Sequence, residues 1–147
     1  MSKSDKNFGP LTGVRVLDLT INVLGPVATQ ILGDLGAEVI KVETPSGDPM
    51  RLIGSSKTGM LGPFFQTTNR NKKSIVLDLK EADEKEALLK LAGDCDVFVH
   101  NMRHAATERL GIDYKKLKKA APKIIYASAT GYRRNSPKDG RPAYDDV

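Results

Sequence analysis

Apolar positions along this chain change rhythm at regular intervals, and the first change is the clearest. Val14, Val16, Leu17 and Leu19 form a short apolar run with β-branched members, the pattern of a strand covered on both faces. Gly25-Pro26 then opens a helix, because a proline at the first helical position gives up no needed N–H and brings a preset φ. Val27, Ala28, Ile31, Leu32 and Leu35 fall at helical spacing and predict its buried stripe. Gly36 is placed to adopt φ > 0 and end it, and Val39, Ile40 and Val42 predict a second strand. A strand–helix–strand unit of this size is a crossover between parallel strands. Ligands of open parallel sheets sit beyond the carboxyl ends of the strands. The loops Thr20–Gly25 and Thr44–Arg51 are therefore the first candidate site.

The alternation continues. Thr44–Gln66 reads as a long Gly-, Pro- and Ser-rich loop, and Asn69–Lys73 as a basic turn. Ser74–Leu79 predicts a third strand, and Glu81–Ala92 a helix that Gly93 ends. That helix carries its acids (Glu81, Asp83, Glu84, Glu86) early, where the helix dipole favours them, and Ala87, Leu88 and Leu91 supply its buried stripe. Asp96–His100 is a fourth strand, and Asn101–Leu110 a connection or short helix. Asp113 caps a basic helix to Ala121, stopped by Pro122, and Ile124–Ser128 is a fifth strand. Tyr132–Arg141 is a loop. The pattern predicts an α/β fold: a mostly parallel sheet with helices on both faces, behind a flexible segment 1–10. The alternation reaches Val147 without a closing element, so the sheet is expected to be incomplete at the C-terminus and the chain to be a fragment of a longer protein.

Composition narrows the function classes. With 147 residues, 39% hydrophobic and 28% charged, the chain suits one soluble domain. No apolar run approaches a membrane span, and a cytoplasmic location is the default expectation. The single Cys95 excludes an intrachain disulfide or a local cysteine zinc motif and reads as a packing residue. A net charge of +5 favours an anionic partner but is too mild to call for nucleic acid. His100 and His104 lack further metal-ligating neighbours and are expected to be structural or solvent-facing. Glu43 stands where a ribose-binding acid would stand in a dinucleotide fold, but the first connection, TINVLGP, lacks the G-x-G-x-x-G turn. Val23 and Leu24 in that connection either wall an extended ligand or simply cover the sheet edge. Arg51, Lys80, Arg103, Arg109 and the Arg70/Lys72/Lys73 turn fall at strand ends or connections and raise the expectation of a phosphate-bearing ligand.

Several motifs carry a resemblance. Val16-Leu17-Asp18-Leu19-Thr20, Gly25-Pro26 and the run Gln30–Glu43 (QILGDLGAEVIKVE) come first. Gly47-Asp48-Pro49 with Arg51, Asn69–Ser74 (NRNKKS) with Leu77–Lys80 (LDLK), and Asp96-Val97 with Asn101 follow. Glu108–Gly111 (ERLG) with Asp113-Tyr114, Pro122 with Ile125–Ser128 (IYAS), and Gly131-Tyr132 complete the set. In this order and spacing the chain, from Gly9 to Asp145, resembles the N-terminus of the class III CoA-transferases. Formyl-CoA transferase, crotonobetainyl-CoA:carnitine CoA-transferase and α-methylacyl-CoA racemase belong to that family.

The resemblance implies that residues 11–147 are the N-terminal part of a Rossmann-like large domain that binds coenzyme A along its strand ends. It places CoA contacts at Val23 and Leu24 after the first strand, at Leu77 and Lys80 near the adenosine, and at Asn101 and Met102 after the fourth strand. Arg109 and Leu110 would lie near the phosphates and pantetheine. It further implies acyl-CoA and a carboxylic acid acceptor as substrates, no metal, and a parent protein that is an interlocked homodimer. The family nucleophile is an aspartate of a Gly-Asp motif that attacks the thioester; by position it lies beyond Val147, so the chain alone is expected to be inactive. Thr44 stands where the family often has arginine, and His100 where it usually has glutamate. Tyr144-Asp145 replaces the His-Asp of racemases, which tilts the parent toward a transferase. Asp145 and Asp146 match a helix entry rather than the nucleophile. A racemase-type parent, a non-enzymatic CoA- or nucleotide-binding module working with a partner chain, and a nicotinamide-dependent domain are the alternatives.

Overall fold

Each apolar run becomes a short strand, and the helices between them return the chain to the same edge. The computed structural model describes residues 9–57 and 59–143. The strands β1 (Arg15–Leu19), β2 (Glu38–Glu43), β3 (Lys72–Val76), β4 (Val97–His100) and β5 (Ile125–Ser128) pair in parallel in the order β3-β2-β1-β4-β5. Helices α1 (Leu24–Asp34), α3 (Ala82–Gly93), α4 (His104–Leu110) and α5 (Tyr114–Ala120) lie in the crossovers, while the short α2 (Pro63–Thr68) lies between β2 and β3. The chain moves outward from β1 to β3 and then returns to place β4 on the other side of β1. This reversal makes the crevice between the ends of β1 and β4 the topological switch point.

Alternation along the strands splits the core in two. Leu17, Leu19, Ile40, Val42 and Phe98 face one way and pack with Leu88 and Ala92 of α3, Ile112 and Leu117 of α5. Val16, Val39 and Val99 face the other way and pack with Ala37 and with Leu32 of α1. Helices thus cover both faces of a parallel sheet, as the sequence pattern predicts. Asp113 caps α5 as expected, its Oδ1 accepting from the N–H groups of Lys115 (3.0 Å) and Lys116 (3.3 Å).

Three local expectations are corrected. Helix α1 buries only part of the apolar stripe: Gly25, Pro26, Thr29, Gln30 and Gly33 face inward, Val27 and Leu32 are half-buried, and Ile31 stays 50% exposed. The sheet beneath α1 carries buried Asp18, to which Thr29 donates, so the helix turns its small and polar side inward. Gly25 permits that approach, since a Cβ there would lie 2.4 Å from Thr20 Cβ. In α3, Leu88 and Ala92 are buried whereas Ala87 is exposed. Strand β3 begins at Lys72 and ends at Val76, so two lysines expected in a turn are paired opposite Val39 and Ile40. A lysine tolerates such a position because its stem is apolar and its ammonium can reach a distant acceptor.

The long loop after β2 is also more ordered than expected. It contains a 3-10 turn, Pro49–Leu52, capped by Asp48, and then α2, which starts with proline at its first turn. Gly62 locks the two together. A Cβ on Gly62 would lie 2.3 Å from Ile53 O and 2.9 Å from the carbonyl oxygens of Arg51 and Met50. These are backbone atoms that cannot swing aside. Gly62→Ala is therefore expected to destabilise the protein by about 2 kcal/mol, within the range for overpacking, measured as a lower urea midpoint at unchanged slope.

Candidate functional site

The switch-point crevice is built from two loops that hold each other. Asn101, just after β4, accepts from Ile21 N at 3.0 Å and donates through Nδ2 to Ile21 O at 2.8 Å. This double contact fixes the β4 loop to the β1 loop. Asn22 follows with φ +68, a left-handed conformation that asparagine adopts more readily than most residues. Val23 and Leu24 then begin α1 with 42% and 73% of their surfaces exposed. They form an apolar shelf beside the crevice, and Val23 places no side-chain cap on α1.

Beneath the shelf lies a network of buried charges that the sequence reading missed. Asp18 Oδ2 accepts from Lys72 Nζ at 3.0 Å and from Thr29 Oγ1 at 2.6 Å; its Oδ1 accepts from Thr20 N and Oγ1. Lys41 Nζ donates to Asp48 Oδ2 at 3.0 Å and to Thr20 O at 2.7 Å. Asp48 Oδ1 accepts from Asn22 N at 3.3 Å and Met50 N at 3.0 Å. Glu43 takes two hydrogen bonds from Arg51, at 2.7 and 2.6 Å, another from Ser74 Oγ, and one from Asp48 N. Burial opposes the Glu43 charge, but these donors outweigh it and hold the carboxyl at about 2. Burial lowers the Lys72 ammonium, with the Asp18 charge acting against it. The available signal was the register. Asp18 pairs with Lys41 and Lys41 with Ser74, so polar residues inside apolar runs share one face.

The expected contact residues divide by environment. Val23, Leu24, Lys80 and Arg109 are exposed. Leu77, Met102 and Leu110 are half-buried and pack against the α3/α5 core. Asn101 is half-buried and spends its amide on Ile21. Val23 and Leu24 are joined to Asn101 through Ile21, whereas Leu77 and Lys80 follow β3, two strands from β1, or about 10 Å across the sheet. Arg109 and Leu110 close α4.

The basic residues divide as well. Arg51 pairs with Glu43, Arg70 with Asp34, Lys72 with Asp18 and Lys73 with Glu38. Arg51 and Lys72 are committed to buried carboxylates, which corrects the expectation that they serve a phosphate. Arg70 and Lys73 make solvent-exposed pairs, and the Arg70/Lys72/Lys73 turn enters β3 instead of leaving it. Among the described residues, Lys80, Arg103 and Arg109 make no ion pair.

His100 is fully buried, its Nδ1 accepting from Met102 N at 3.2 Å and its Nε2 without a hydrogen-bond partner among the described residues. Burial, reinforced by neighbouring His104, pulls it down to about 4. It packs beside Tyr126 and Phe98 as a neutral core residue. His104 Nε2 lies 3.9 Å from Asp139. Among the described residues no three His, Cys, Asp or Glu side chains converge on a point that would hold a metal. Cys95 is buried, and burial raises its thiol. Glu43, clamped by Arg51, cannot offer a free carboxylate to a ribose, which removes the remaining support for the dinucleotide alternative. Tyr144, Asp145 and Asp146 lie outside the described residues.

Residues 11–147 match the model of CoA-transferase family III. The chain belongs to this family. It is 44% identical to human succinyl-CoA:glutarate CoA-transferase over 142 residues, covering 96% of this chain and 32% of the relative. It is 45% identical to a probable fatty acyl-CoA transferase of Mycobacterium tuberculosis, covering 94% and 36%. With acetyl-CoA:oxalate CoA-transferase of Acetobacter aceti it shares 41% identity, covering 97% and 36%. The solved structure of a CAIB/BAIF family protein from Brucella suis superposes with a TM-score of 0.88 at 36% identity, covering 94% of this chain and 38% of that one. An orthorhombic crystal structure of the Mycobacterium tuberculosis protein gives 0.86 at 45%, covering 93% and 39%. This family III chain spans about a third of the length of the curated relatives it matches. Those relatives are named as transferases.

Proposed function

We propose that this chain is the N-terminal, CoA-binding part of an enzyme that moves coenzyme A between an acyl-CoA and a free carboxylate. The carrying observation is the strand-end edge: an exposed apolar shelf, Val23-Leu24, lies beside the β1–β4 crevice, and the exposed cations Lys80 and Arg109 follow β3 and β4. Coenzyme A is extended, with an anionic nucleotide at one end and a largely apolar arm leading to its thiol. Cations suit the first and the shelf suits the second. Leu77, Asn101, Met102 and Leu110 complete the cradle in this reading. The parent acts as a cytoplasmic homodimer through a carboxylate nucleophile that needs no metal.

Thermal unfolding tests the binding step. A ligand that binds only the folded state adds about 2.7 kcal/mol at a hundredfold excess over Kd, so coenzyme A is expected to raise the midpoint by about 5–10 °C. NAD at the same concentration is expected to leave it unchanged. Leu24→Asp should abolish the rise without lowering the ligand-free midpoint, because Leu24 is 73% exposed. No rise with coenzyme A, or an equal rise with NAD, overturns the proposal.

A further inference from the structure

The buried carboxylate of Asp48 does more than neutralise Lys41. Its Oδ2 takes the ion pair, while its Oδ1 reaches across to the neighbouring loop and accepts from Asn22 N at 3.3 Å as well as from Met50 N at 3.0 Å. Asp48 is 1% exposed and belongs to the loop after β2, yet it contacts the residue that immediately precedes the exposed Val23-Leu24 shelf. Asn22 has φ +68, a conformation that costs energy outside glycine and persists where the surroundings hold it. Two holds exist: Asn101 grips Ile21 from the β4 side, and Asp48 grips Asn22 from the β2 side. Lys41 anchors the second hold by binding both Asp48 and Thr20 O at the base of the same turn. The Glu43 carboxylate, accepting from Asp48 N, fixes the backbone from which Asp48 projects.

We infer that Asp48 is a positioning residue for the ligand-facing turn of β1: its Oδ1 sets the Asn22 conformation that presents Val23 and Leu24 to the crevice. This rests on the CoA-site reading for the identity of the ligand, but not for the effect on the turn. The charge and the acceptor have separable roles. Lys41 and Oδ2 together allow a carboxylate to be buried, whereas Oδ1 alone does the positioning, and an amide oxygen would do the same.

That separation supplies the test. Lys41→Met with Asp48→Asn removes both charges and keeps the Oδ1 acceptor; Lys41→Met with Asp48→Leu removes both charges and the acceptor. The first double variant is expected to bind coenzyme A within about threefold of the wild type, and the second about tenfold more weakly. Amide hydrogen exchange at Ile21, whose N–H is held by Asn101 in the same turn, is expected to accelerate about tenfold in the second variant only. Leu117→Ala, a truncation in the distant α5 core, lowers global stability and should alter neither readout. Equal affinity and equal exchange in the two double variants overturns the inference, as does loss of affinity in Leu117→Ala to the level of the leucine variant. If the wild type binds no coenzyme A, the functional reading falls, and the exchange rates still decide whether Asp48 sets the turn.

Discussion

Replacing Lys72 with methionine is expected to cost about 3–5 kcal/mol of folding free energy, the toll of leaving a buried charge without its partner. The Lys72 side chain is 1% exposed and that of Asp18 is 0% exposed, and their charged atoms are 3.0 Å apart. Lys72 Nζ also contacts Pro26 O, Thr29 Oγ1 and Asn69 Oδ1, so it joins β3 to the first turn of α1. Methionine fills similar space but leaves the Asp18 carboxylate facing hydroxyl and amide donors with no cation. Adding Asp18→Asn to Lys72→Met removes the orphaned charge, and the double variant should regain most of the loss, as when a buried pair is removed whole. Urea unfolding of the wild type, the single and the double variant reads this directly. The midpoint should fall steeply in the single variant and return in the double, with the slope unchanged because the surface exposed on unfolding is the same. A single variant within about 1 kcal/mol of the wild type would mean that the network accommodates a lone carboxylate at Asp18, and that this pair is not what secures α1 to the sheet.

The same pair shows where the sequence was legible and where it was not. The apolar runs at Val16–Leu19, Val39–Val42 and Val97–Val99 announced three central strands, because a strand covered on both faces has no room for alternation. Their parallel direction followed from the helices between them. Asp113 announced α5 by its capping oxygen and Pro122 its stop. Periodicity failed at α1, since it assumes that the buried face of a helix is the apolar one. Here the sheet presents a carboxylate, so the helix answers with Thr29 and two glycines and leaves Ile31 and Leu35 outside. It failed at β3 for the matching reason. A lysine read alone is a surface charge, and only its partner, 54 residues away in sequence, makes it a strand residue. The candidate site was legible as an edge of the sheet, which topology dictates. The polar bracing beneath that edge was not, because Asp18 and Lys41 are hidden inside apolar runs, Lys72 stands in a basic turn and Asp48 in a loop, and only the folded register brings them together.

Acidification is expected to weaken the fold in two separable stages. His100 is held neutral, brought down from 6.5 to about 4 by burial and by His104. The unfolded chain therefore takes up its proton first. The stability this group contributes is complete above pH 6.5, is lost as the pH falls toward 4, and does not decline further below that. The difference corresponds to about 3 kcal/mol. Glu43 acts lower on the scale. Burial alone would raise its carboxyl, but the bonds from Arg51, Ser74 and Asp48 N depress it from 4.5 to about 2. Its contribution is present above 4.5 and is lost as the pH falls through 2, again about 3 kcal/mol in all. Urea midpoints measured from pH 8 to 3 should thus fall between 6.5 and 4 through His100, and continue to fall below 4.5 through Glu43. His100→Asn keeps an acceptor for Met102 N but cannot titrate, so it should flatten the upper stage and leave the lower one. Glu43→Gln should do the reverse, with a lower midpoint at neutral pH because Arg51 loses its anion. If the upper stage persists unchanged in His100→Asn, the titrating group is another one, and the buried imidazole of His100 is not where the fold is sensitive to protons.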